Sequence, residues 1–154
     1  MVPSRSERLS EREEREILLH GDQGVTVGEQ ENRRTVERLV EALNTHDLEL
    51  FDAQFHEDSV MEYPQSGERV LGGANRRAVY AAFPALPQIA PRRILVEGDL
   101  AVLEAALDYG DGADWRAVLV FELRDGKIAK ETAYWSQPFE AAEWRARWVE
   151  RLTE

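Results

Sequence analysis

Cysteine is absent from the 154-residue chain. Disulfides, thiolate metal ligands and cysteine nucleophiles are thereby excluded. The absence suits a reducing compartment, and a cytoplasmic location is the expectation. Histidine is nearly as scarce. His20, His46 and His56 are scattered, with no His-x-His or His-x-x-x-His spacing, so no metal site is expected. No apolar run approaches the ~18 residues that span a bilayer, and charges interrupt the N-terminus where a signal core would lie. Basic residues are outnumbered by acidic ones, 19 to 30, for a net charge of -11. Such a surface repels phosphate backbones and anionic lipid, so neither nucleic acid nor membrane is expected as a partner.

What remains is a chain long enough for one domain with its own core. Residues 1–30 are dense in Glu and Arg and read as a charged extension, either a helix held by i,i+4 ion pairs or disordered. The domain is expected over residues 31–154. Val36, Leu39, Val40 and Leu43 recur at helical spacing. Asp47 is placed to cap a second short helix carrying Leu48, Phe51 and Phe55. Ser59 to Tyr63 reads as a strand ending at Pro64, followed by a turn over Gln65–Glu68. Gly72-Gly73 opens a third helix with Val79, Tyr80 and Phe83, stopped by Pro84.

Beyond Pro91 the apolar period changes to two. Strands are predicted at Arg93–Glu97, Leu100–Tyr109, Trp115–Leu123 and Ile128–Ser136, with hairpin turns at Gly98-Asp99 and Asp125-Gly126. Pro138 and Glu140 suit the first turn of a last helix. On it, Trp144 and Trp148 form a stripe that anchors to the domain or to a second subunit. Helices followed by a meander imply an α+β fold: a curved antiparallel sheet with N-terminal helices enclosing a pocket.

Val36 to Phe55, FHEDSVMEYP (Phe55 to Pro64), Gly72-Gly73 and DGKIAKETAYWS (Asp125 to Ser136) resemble the NTF2-like superfamily, closest to its SnoaL-like and ketosteroid isomerase-like branch. The resemblance implies a cone-shaped fold around a small-molecule pocket and acid–base chemistry without a cofactor; a homodimer is the expected assembly. It also implies where catalytic groups would fall. The ketosteroid isomerase base, an Asp before the strand-ending proline, corresponds to Tyr63. The helix-1 Tyr of the oxyanion hole corresponds to Leu39, and its protonated Asp partner falls near Leu119. A further Tyr is kept as Tyr80. Of the limonene-type epoxide hydrolase set, one Asp corresponds to Ala133, and the Arg-x-Asp pair falls around Glu104 to Ala106. Neither catalytic set is retained.

The chain's own candidates follow from strand parity. With Trp135 turned inward, Ala133 and Glu131 share its face, with Trp115, Ala117, Leu119 and Phe121 on the next strand and Val102, Glu104, Ala106 and Asp108 beyond. A one-residue slip would invert a face. Glu104 and Glu131 are the sharpest candidates, because a carboxylate in an apolar cavity has a raised pKa. The competing reading turns them to solvent or pairs them with Arg116 or Lys130. Tyr63 and Tyr80 are candidate donors to a substrate oxygen. Trp115, Leu119, Ala133, Trp135, Asp108 and Phe55 are expected to complete the walls. The expected function is an acid–base enzyme (isomerase, cyclase, dehydratase or epoxide hydrolase) acting on a small apolar oxygenated molecule such as a polyketide or terpenoid. The alternative is a protein that binds such a molecule unchanged. A third is an interaction role for the outward sheet face around Val118 and Val120.

Overall fold

In a computed structural model, residues 27–152 are described. Helix α1 spans Val27–Thr45. Its Val36, Leu39, Val40 and Leu43 stripe is buried, as the 3.6 period requires. The charged N-terminal stretch lies outside the described residues except for residues 27–30, which form the first turn of α1. Helix α2 (Leu48–Ala53) starts where Asp47 accepts the Leu50 backbone N–H at 2.9 Å, satisfying one of the donors that a helix start leaves open.

Strand β1 (Phe55–Tyr63) begins at Phe55 rather than Ser59. Strand β2 (Glu68–Leu71) is not expected from the sequence, and it takes in Glu68, the end of the expected turn. Only four residues long and mostly exposed, β2 carries no alternation to read. Gly72, at φ 74°, makes the corner from β2 into α3 (Gly72–Ala81), a backbone conformation suited to glycine. Strand β3 (Gln88–Glu97) starts earlier than Arg93 and tolerates Pro91 because it lies at the sheet edge. The remaining strands are β4 (Leu100–Asp108), β5 (Trp115–Arg124) and β6 (Lys127–Ser136). Both expected hairpins are present, and Asp125 and Gly126 take positive φ as a tight two-residue turn demands.

The six strands form one curved, unclosed sheet in the order β2-β1-β6-β5-β4-β3. All neighbours are antiparallel except β1 and β6, which run parallel. Helix α1 lies against β3, β4 and β6, and α3 against β1. The core fills the concave side between them. The end of α1 is stitched to β3 by Asn44, whose amide donates to the Ile89 carbonyl (2.9 Å) and accepts from the Ile89 N–H (2.6 Å).

The last helix is not as expected. Only a short 3-10 helix forms, Glu143–Trp148. Trp144 and Trp148 are 74% and 65% exposed, so they do not anchor the segment to their own domain. A short helix gains its stability from packing, and the ring contacts found for these two among the described residues are local ones, with Arg145 and Arg147 of the same segment.

Candidate active site

Inward-facing residues of β5 and β6 make the floor of a cavity of about 290 Å³. Strand parity puts Glu131, Ala133 and Trp135 on one face, beside Ala117 and Leu119. The two alanines keep the floor open where larger side chains would fill it. Tyr63 at the end of β1 forms one wall. Tyr80 and Phe83, from α3 and the turn after it, form another, joined by Tyr109. Leu43, Leu86 and Ile89 close the apolar side, and Glu68 of β2 sits at the rim, paired in register with Tyr63.

Glu131 is the carboxylate on the cavity floor. It is 4% exposed, and its carboxylate makes no hydrogen bond or ion pair with the described residues. No side-chain oxygen among those residues is sealed from both a partner and open space, so these oxygens open onto the cavity. Burial pushes the Glu131 carboxyl up to about 7, with the Arg76 guanidinium pulling the other way. The two tyrosines respond in turn. Burial, then the charge of Glu131, raises the hydroxyl pKa of both Tyr63 and Tyr80. They therefore remain protonated donors across the physiological range. Among the described residues the Tyr63 hydroxyl has one hydrogen-bond partner, the Met61 sulfur at 4.0 Å, and the Tyr80 hydroxyl has none. Ring contacts fix both: Tyr63 lies edge-on to Trp135 (5.2 Å) and Tyr80 packs on Phe51 (4.1 Å).

Arg76 lies deeper and is 1% exposed. Its Nε and Nη2 donate to Asp52 Oδ1 at 2.9 and 2.7 Å. Nη1 donates to the His56 carbonyl (3.2 Å) and to the Ser59 hydroxyl. The guanidinium also covers the Phe55 ring at 4.6 Å. Four of its five N–H groups are in use and Arg76 does not line the cavity, so it acts there through its field.

Six of the expected site residues meet in this cavity: Tyr63, Tyr80, Glu131, Leu119, Ala133 and Trp135. The other four do not. Glu104 and Asp108 fall on the opposite face, because β4 turns Ala101, Leu103, Ala105 and Leu107 inward, pairing Leu103 with Leu119 and Ala105 with Ala117. Glu104 pairs with Arg93 at 2.5 Å, and Asp108 accepts the Gly110 N–H at 2.7 Å. Trp115 packs edge-on to Tyr109 outside the cavity, and its indole N–H donates to Asp111 (2.9 Å). Phe55 is buried against Phe51 and Arg76. Phe83, Tyr109 and Arg76 are not among the site residues expected from the sequence. One signal was available for Arg76: with Val79, Tyr80 and Phe83 it completes an i, i+3, i+4, i+7 stripe.

A curved, unclosed sheet folded with helices around one apolar cavity is the architecture of the NTF2-like proteins. The chain belongs to the SnoaL-like domain family, which matches residues 36–131. It is similar to an NTF-2 like protein of unknown function from Burkholderia xenovorans, at 34% identity over 83% of this chain and 100% of that one, with a TM-score of 0.72. A candidate ketosteroid isomerase from Kribbella flavida is 28% identical over 81% of this chain and 92% of that one, TM-score 0.74. An LEH-like epoxide hydrolase from M. tuberculosis is 26% identical over 70% and 84%, TM-score 0.61. No curated protein matches the chain. No helix among the described residues is long and apolar enough to cross a membrane.

Proposed function

We propose that the protein is a proton-transfer enzyme acting on a small, largely apolar oxygenated molecule of polyketide or terpenoid type. Glu131 moves the proton, and Tyr63 and Tyr80 donate hydrogen bonds to the substrate oxygen. One observation carries this reading: a buried, unpartnered carboxylate opens onto an apolar cavity with its pKa near neutrality. A group poised there is both a competent acid and a competent base. An unpaired buried carboxylate costs stability, which a working role explains. The similar structures named as isomerase and epoxide hydrolase support the class of chemistry. The expected base position holds Tyr63, so the carboxylate comes from β6 instead.

A generic carbon acid tests this without knowledge of the natural substrate. In 5-nitrobenzisoxazole a base removes the ring C–H proton, that electron pair completes a nitrile, and the N–O bond breaks to release a coloured phenolate. Wild-type protein is expected to turn it over, and Glu131→Gln to slow turnover by at least about 100-fold. Binding of the probe without turnover would favour a carrier instead. One feature leans that way: Leu39, Leu119 and Ala133 stand where related enzymes carry catalytic groups.

The proposal includes a homodimer through the outer sheet face. Val118 and Tyr134 are exposed there, and Leu152 of the C-terminal segment borders the same groove. Phe139, Trp144 and Trp148 stand uncovered on that segment. An exposed apolar face and an exposed apolar tail on one chain satisfy each other in a two-fold pair. Light scattering after size exclusion is expected to give twice the chain mass, and Val118→Asp with Trp148→Ser to give the single mass. A wild-type monomer at high concentration would contradict the pairing.

A further inference from the structure

Among the described residues, charge inside the cavity is of one sign. Glu131 lines the floor and Glu68 the rim, and no described arginine, lysine or histidine lines the space. Arg76 is engaged by Asp52, Ser59 and the His56 carbonyl and does not line the cavity, so it offers a ligand there no direct contact. Arg69, next to Glu68 in the chain, pairs with Glu62 at 3.2 Å. An anionic ligand would lose its hydration here and meet two carboxylates without a counter-ion.

For a cation the balance reverses. The rings of Tyr63, Trp135, Tyr80, Phe83 and Tyr109 line the same space. Tyr63 and Trp135 stand 5.2 Å apart, and Tyr80, Phe83 and Tyr109 follow one another at 5.9 and 6.5 Å. Aromatic faces attract ammonium groups, most strongly where water is excluded. Glu131 is buried and without a hydrogen-bond or ion-pair partner among the described residues, and an ammonium beside it would supply the direct contact that Arg76, acting only through its field, does not.

We propose that the cavity is charge-selective: it admits neutral and positively charged molecules, holds a small cyclic ligand bearing a basic nitrogen most tightly, and shuts out carboxylates, sulfonates and phosphates. This rests on Glu131 meeting the ligand, as in the proton-transfer reading, and it narrows the substrate. The reacting oxygen belongs to a ketone, ester, alcohol or ether rather than to an acid.

Three probes of one shape test it: 2-naphthylmethylamine, 2-naphthylmethanol and 2-naphthoate, titrated calorimetrically at pH 8 into wild type and Glu131→Gln. The amine is expected to bind at least about tenfold more tightly than the alcohol, and naphthoate not at all. Glu131→Gln removes the preference and leaves alcohol binding in place, which also shows that the variant is folded. An alcohol as tight as the amine, binding of naphthoate, a preference that survives in Glu131→Gln, or no binding by any probe would each overturn the proposal. Turnover of 5-nitrobenzisoxazole separates the two readings. Glu131-dependent turnover without amine preference removes the selectivity and leaves the proton-transfer enzyme. Amine preference without turnover does the reverse.

Discussion

Glu131→Gln is expected to stabilise the protein at pH 8 by roughly 3 kcal/mol while changing it little at pH 4. The sign follows from proton binding. Unfolded, the Glu131 carboxyl titrates near 4.5; folded, burial holds its proton up to about 7. Between those values the folded state binds more protons than the unfolded one. Wild-type stability attributable to Glu131 is therefore fully present below 4.5 and is lost as pH rises through 7. At about 1.4 kcal/mol per pH unit, that window amounts to roughly 3 kcal/mol. Glutamine has the same shape and cannot ionise, so its stability lacks this slope. Urea denaturation of both proteins from pH 4 to 8 isolates the effect, because all other carboxylates cancel in the difference. A difference that stays flat with pH would mean that Glu131 is solvated in the fold.

Arg76→Met is expected to destabilise the fold by about 3 kcal/mol, at the lower end for breaking a buried ion pair. Arg76 joins three elements: Asp52 on α2, Ser59 and the His56 carbonyl on β1, and its own α3. Methionine fills the volume but leaves the Ser59 hydroxyl and the His56 carbonyl without that donor. Asp52 keeps Arg77 at 3.1 Å and some access to water, which limits the cost. Removing the positive field also raises the Glu131 pKa further, because Arg76 is what holds it down. The turnover–pH profile of Arg76→Met should therefore shift to higher pH, an effect that loss of packing alone would not produce. Asp52→Asn combined with Arg76→Met should cost less than the sum of the two single changes, since they share one interaction.

The parts legible in the sequence are those where one physical signal acts alone. The α1 stripe, the Asp47 cap and both hairpin turns are local, and the structure places them as read. On β5 and β6 the inward sets (Ala117, Leu119 and Phe121; Glu131 and Ala133) also agree, because parity counted from an inward Trp135 fixes β6, and Arg116 and Glu122 mark the outer face of β5. Strand β4 does not alternate in that way. In Leu-Ala-Val-Leu-Glu-Ala-Ala-Leu-Asp both faces are largely apolar, so the choice of face depends on pairing with β5, which local pattern does not contain. Glu104 was misplaced for that reason alone. Arg76 was missed for a different one. Charged residues are exposed as a rule, and the Asp52 and Ser59 partners that overturn the rule lie 24 and 17 residues away. Trp144 and Trp148 mark the same limit at the C-terminus: helical spacing is visible in the sequence, but the surface a helix needs is not.

The state of the Glu131 carboxyl itself is the decisive observable. In protein labelled with carbon-13 glutamate, its side-chain carbonyl resonance is assigned by its loss in Glu131→Gln and followed from pH 4 to 9. A midpoint near 7, set apart from the other glutamates, is the predicted result, with a further shift when a ligand enters the cavity. A midpoint near 4.5, unmoved by ligand, would show a hydrated carboxylate and contradict the proton-transfer site.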